Sequence, residues 1–169
     1  MVPLARLVVG YLLVLVDLRI DGFDLVPDLV GWALVLWALV PLTRRSDWFR
    51  LALVAAVVEL VLSLVEVRQP VGGLALLVDV GAGAAFIFAV VTGIIATVGR
   101  EEVRAAGDPV RWTNLVMGLV AFVLVTMVDS GQVVDLGGGP ILLVVLVGLG
   151  AVVWFLVFCW KQRAQPELV

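Results

Sequence analysis

The chain has 169 residues, 63% hydrophobic and 15% charged, with a mean hydropathy of +1.21. That composition excludes an ordinary water-soluble domain. It holds one cysteine, Cys159, and no histidine, which excludes haem held through imidazole, the usual zinc sites, Ser-His-Asp catalysis and an intrachain disulfide. The net charge of -3 decides little, because where charges fall along an apolar chain matters more than their sum.

A lipid-spanning helix takes roughly 20 apolar residues, so the expectation is an all-α integral membrane bundle of six transmembrane helices in a single domain over 1–169. Apolar runs broken by charged or Gly/Pro clusters place the spans at about 2–18, 27–42, 50–67, 73–98, 113–128 and 140–160. The opening MVPLARLVVGYLLVLV reads as a retained span, since DLRIDGFD follows it instead of a small-residue cleavage site. Spans one and two each have only about 15 strictly apolar residues and reach about 22 Å. The acidic segment between them is therefore placed either in water or dipping into the outer leaflet.

That segment sets Asp17, Asp21, Asp24 and Asp28 at offsets 0, 4, 7 and 11, one face of an unbroken helix. Gly22 and Pro27 argue against such a helix and for a turn leading into span two, with Asp24 or Asp28 near its N-terminus. Four acids beside the single Arg19 repel one another unless solvated, protonated or bridged. A solvated, capped loop is one reading, and a site for a hard divalent cation such as Mg²⁺ is the other.

Span three carries Glu59, Ser63 and Glu66 on one face, and Asp79 follows about six residues into span four. Ionisable groups inside a span are costly and face a cavity, a partner or a pathway. Glu59 and Asp79 are accordingly the main functional candidates, and the catalytic ones if the protein is an enzyme. The small-residue run Gly81 to Ala85 reads as a helix-packing stripe. The segment REEVRAAGDPVRW reads as a loop before span five, Asp129 as the end of that span, and Gly137-Gly138-Gly139 as a flexible cap with no phosphate-loop lysine after it.

With the N-terminus inside, Arg6, Arg44, Arg45, Arg50, Arg100, Arg104, Arg111, Lys161 and Arg163 fall on the cytoplasmic side, and only Arg19 and Arg68 outside. That imbalance sets both termini in the cytoplasm, and Trp48, Trp112 and Trp160 agree as interface anchors. The candidate ligand-binding acids Asp17, Asp21, Asp24, Asp28, Glu66, Asp79 and Asp129 then lie in or near the outer half, with Glu59 deeper. An acid closes each odd span (Asp17, Glu66, Asp129) and a proline opens each even one (Pro27, Pro70, Pro140). Three pseudo-repeated hairpins around a central cavity fit this pattern, and chance likeness among apolar runs explains it as well. Phe23, Trp32, Trp37, Phe86 and Phe122 are the aromatics available to line such a cavity.

The stretch DLRIDGFDLVPDLVGW, Asp17 to Trp32, resembles the opening signature of an uncharacterised group of small polytopic membrane proteins of Gram-positive bacteria. The resemblance implies a bacterial plasma-membrane location and no activity. CDP-alcohol phosphotransferases open on D-x-x-D-G, whereas the spacing here is D-x-x-x-D-G without the following Ala-Arg, so that assignment is set aside.

Three functions remain. The first is an outward-facing acidic site that binds or transports a cation or cationic solute, in an architecture that resembles the substrate-binding subunits of vitamin-uptake transporters. The second is a membrane-embedded enzyme acting on a lipid or isoprenoid by carboxylate acid/base chemistry, as small membrane terpene cyclases do. The third is a structural subunit or homo-oligomer that contacts partner membrane subunits. No feature points to nucleic acid.

Overall fold

The computed structural model describes residues 2–15, 19–20, 23–24, 28–66, 73–129 and 138–169, with side chains for all of these except 19–20, 23–24, 65–66, 128–129 and 138–141. Six helices carry it: α1 (Pro3–Leu15), α2 (Asp28–Leu42), α3 (Asp47–Glu66), α4 (Leu74–Val98), α5 (Glu101–Asp129) and α6 (Gly138–Gln162). The fold is all-α, as composition and periodicity require. Among the described residues three helices are long and apolar enough to cross a membrane: α4, α5 through Met127, and α6 from Leu142. The apolar α1 and α2 are shorter, at 13 and 15 residues, about 20 and 22 Å long. In α3, Asp47, Arg50 and Glu59 interrupt the apolar run.

Local signals set the helix ends. The Ser46 hydroxyl accepts a bond from the Trp48 N–H at 3.3 Å, capping α3. Helix α4 stops at Gly99, whose φ of 67° is left-handed and whose N–H bonds the Ile95 carbonyl. Glu101 and Glu102 then place negative charge on the first turn of α5.

Two segments depart from the sequence reading. REEVRAAGDPVRW is not a loop: α5 runs unbroken through it, with Pro109 inside the helix. Val103, Gly107 and Val110, at offsets 0, 4 and 7, form a buried stripe. That packing outweighs the hydrogen bond that proline removes. Between α1 and α2, Arg19–Ile20 pairs antiparallel with Phe23–Asp24, in the register Arg19 to Asp24 and Ile20 to Phe23. The connecting Asp21-Gly22 lies outside the described residues.

Each helix packs on its chain neighbours, α1 also meets α6 to close the ring, and α4 meets α6 across it. Helices α1 and α2 cross most intimately where a Cβ added to Gly10 would stand 2.7 Å from the Gly31 carbonyl. The small-residue stripe of α4 serves two neighbours: Ala84 lies against Gly118 of α5, and Gly83 against Glu59 of α3. Four rings, Tyr11, Trp32, Phe86 and Phe155, fill the middle with centroids 5.4 to 6.2 Å apart. At that level the expected central cavity is occupied by aromatic packing.

The two ends differ. At one, the turn after α2, the turn after α4 and the segment 163–169 come together. The Arg45 guanidinium donates to the Val169 carbonyl at 3.1 Å, Arg100 donates to Gln165 at 2.6 Å and pairs with Glu167 at 3.1 Å, and Leu168 is buried. Toward the other end α5 and α6 turn apolar side chains outward, among them Val116, Leu119, Leu142, Leu143 and Leu146. A helix apolar on all sides needs a hydrocarbon surround.

Candidate functional site

Among the described side chains Glu59 is the buried carboxylate, 7% exposed, the rest being buried as apolar groups or as Thr92, Asn114 and Gln162. It comes from the middle of α3, and its Oε1 would lie 3.3 Å from a Cβ built on Gly83. The missing side chain at Gly83 is what lets the carboxyl settle against α4. Asp79 stands four residues before Gly83, one turn away on the same face of α4. Tyr11 of α1 is buried in the same bundle. Phe86, three residues after Gly83 on α4, belongs to the ring cluster in which Tyr11 stacks on it at 5.4 Å with Trp32 and Phe155 edge-on around them.

The other candidate acids fall elsewhere or outside view. Asp28 occupies the first turn of α2, where the helix N-terminus favours a carboxylate. Asp24 sits in the short β-ladder, and Glu66 and Asp129 end α3 and α5; the side chains of these three lie outside the described ones. Asp17 and Asp21 lie outside the described residues altogether. Among the described residues no three His, Cys, Asp or Glu side chains converge as metal ligands.

The aromatic candidates divide. Trp32 and Phe86 belong to the buried cluster, while Trp37 and Phe122 are exposed. Phe23 is in the ladder, its side chain outside the described ones.

Two polar residues tie the helices together: Asn114, which sequence reasoning passed over, and Arg111, which it read only as a charge on the cytoplasmic side. The Asn114 amide donates to the Val110 carbonyl at 2.9 Å within α5 and to the Ala151 carbonyl of α6 at 3.1 Å. Arg111 pairs with Asp108 at 2.8 Å, donates to Thr92 of α4 at 3.2 Å, and lies against the rings of Phe88 and Trp112. The buried Asn114 lay inside a predicted span, where a lone amide is itself a signal. Tyr11, too, had no motif to mark it; only tertiary contact places it against Trp32, Phe86 and Phe155.

Comparison with protein-family models, with curated proteins and with solved structures found no match in any of the three.

Proposed function

We propose that this protein is a six-span membrane protein, with both termini in the cytoplasm, that binds or transports a cationic solute at Glu59, with Asp79 on the approach from outside. The observation that carries the reading is Glu59 itself: a carboxyl buried in an apolar bundle at a position where Gly83 leaves room for it. Such a group is expensive to keep inside a membrane, about 2.5 to 3.5 kcal/mol on insertion scales. A cation bound beside it would offset part of that cost.

The surroundings favour an organic cation over a bare metal ion. Mg²⁺ and Ca²⁺ take six or more oxygen ligands. Two carboxyls and, in the same bundle, a cluster of aromatic rings instead match an ammonium or guanidinium group, which carboxylates pair with and π-systems attract.

The test is thermal stability of the detergent-purified protein against divalent cations and cationic metabolites, followed by uptake into vesicles. A cation that binds only the folded state raises apparent stability. Glu59→Gln should abolish that rise and Asp79→Asn weaken it, while Asp47→Asn, an exposed residue paired with Arg50 at 2.9 Å, leaves it intact. Equal responses from all three variants would sink the proposal.

A second reading draws on the ring cluster. Aromatic faces beside a carboxylic acid also suit an enzyme that protonates an isoprenoid and stabilises the resulting carbocation. Conversion of an isoprenoid by the purified protein alone, lost in Glu59→Gln, would favour it over solute binding.

A further inference from the structure

A recess of about 530 Å³ opens between α1, the end of α2 and the turn that follows, lined by Arg6, Trp37, Val40, Pro41, Arg44 and Arg45. It shares no residue with the Glu59 site, and its chemistry is opposite: three guanidiniums and, among the described residues, no carboxylate line it. The nearest acid in sequence, Asp47, is already paired with Arg50.

The end of a helix attracts cations by its own carbonyls, which accounts for an arginine just after α2. It does not account for Arg6, which reaches the same recess from α1 and lies 4.5 Å from the centroid of the Trp37 ring. Nor does it account for Arg44, which is exposed and has no ion pair or hydrogen bond among the described residues. Arg45 donates one bond to the Val169 carbonyl, which fixes its direction at the rim.

The apolar side of the recess is equally informative. Trp37 is 61% and Val40 57% exposed, on a helix that is apolar almost throughout. A tryptophan beside a cluster of arginines, next to exposed aliphatic surface, is the arrangement expected at a membrane–water interface. Guanidinium forks match phosphate oxygens two at a time, and basic pockets between spans on the cytoplasmic side suit anionic head groups.

We propose that this recess binds the phosphate head group of an anionic phospholipid, held by Arg6 and Arg44, with an acyl chain along Trp37 and Val40. The test measures the apparent melting temperature of the purified protein titrated with short-chain phosphatidylglycerol, short-chain phosphatidylcholine or inorganic phosphate. Phosphatidylglycerol should stabilise, and the other two should not at equal concentration.

Arg6→Gln or Arg44→Gln should weaken the phosphatidylglycerol effect about tenfold or more. Arg104→Gln, which removes the same charge from an exposed site on α5, should leave it unchanged. Since Arg44 has no ion pair or hydrogen bond to lose among the described residues, its variant reports on binding even if Arg6→Gln fails to fold. Equal stabilisation by phosphatidylcholine, or an unchanged response in Arg44→Gln, overturns the proposal. Inorganic phosphate as effective as the lipid overturns the assignment to a lipid.

Discussion

Glu59, Gly83 and Asn114 show how single positions set the interior chemistry of this bundle. Any side chain at Gly83 meets the Glu59 carboxyl at 3.3 Å or closer. Gly83→Val should therefore displace Glu59 and reduce cation-dependent stabilisation even though both carboxyls remain; an undiminished response would mean that the carboxyl does not rest where the structure puts it. Asn114 spans α5 and α6 with one amide, and hydrogen bonds of this kind in membranes contribute about 0.6 to 1.7 kcal/mol. Asn114→Leu should lower unfolding stability by about that amount, measured by denaturant titration in detergent, without altering ligand response. The charged residues at these depths were visible in the sequence because an acid inside an apolar run stands out. Gly83 and Tyr11 were not, because a glycine among glycines and a tyrosine in a span carry no mark of what they touch.

At the scale of elements, helix content follows directly from the apolar runs. The boundaries that differ do so for packing reasons. Pro109 and Gly107 make residues 100–112 look like a loop, yet the stripe Val103, Gly107, Val110 buries against the bundle and keeps α5 continuous. A proline inside a helix costs about 3 kcal/mol. Pro109→Ala should accordingly raise thermal stability by up to that amount, and a fall would show that the helix needs the deviation proline introduces. Close approach also depends on glycine between elements. A Cβ at Gly118 would stand 2.5 Å from Ala84 Cβ, so Gly118→Val should push α4 and α5 apart and destabilise the fold by roughly 1 to 3 kcal/mol, as overpacking does.

For the whole molecule, four of the nine basic residues that charge counting assigns to one side lie at one end of the bundle. Arg6, Arg44 and Arg45 share a recess, and Arg45 and Arg100 both bond the segment 163–169. If that end is cytoplasmic, a reporter placed after Trp48 is accessible only from inside. The segment's attachment also has a pH signature. Its own backbone N–H first, and then Arg100, hold Glu167 below the ordinary glutamate range. A carboxylate with a lowered folded-state pKa contributes stability that is complete above the unfolded value, about 4.3, and is lost as pH falls through the folded one. Amide exchange in 163–169 should thus speed up relative to the rest of the chain as pH drops below about 4, and Glu167→Gln should remove that dependence. What the sequence by itself determined is the solvent: an apolar chain without histidine, folded into helices, with its positive charge concentrated in alternate connections. Hydropathy and charge act residue by residue, so they can be read without coordinates. Which acid is buried, which rings meet and which arginines converge were decided only by the tertiary structure, because these depend on the rotation of each helix about its axis. In segments apolar on every face, nothing in the sequence pattern fixes that rotation.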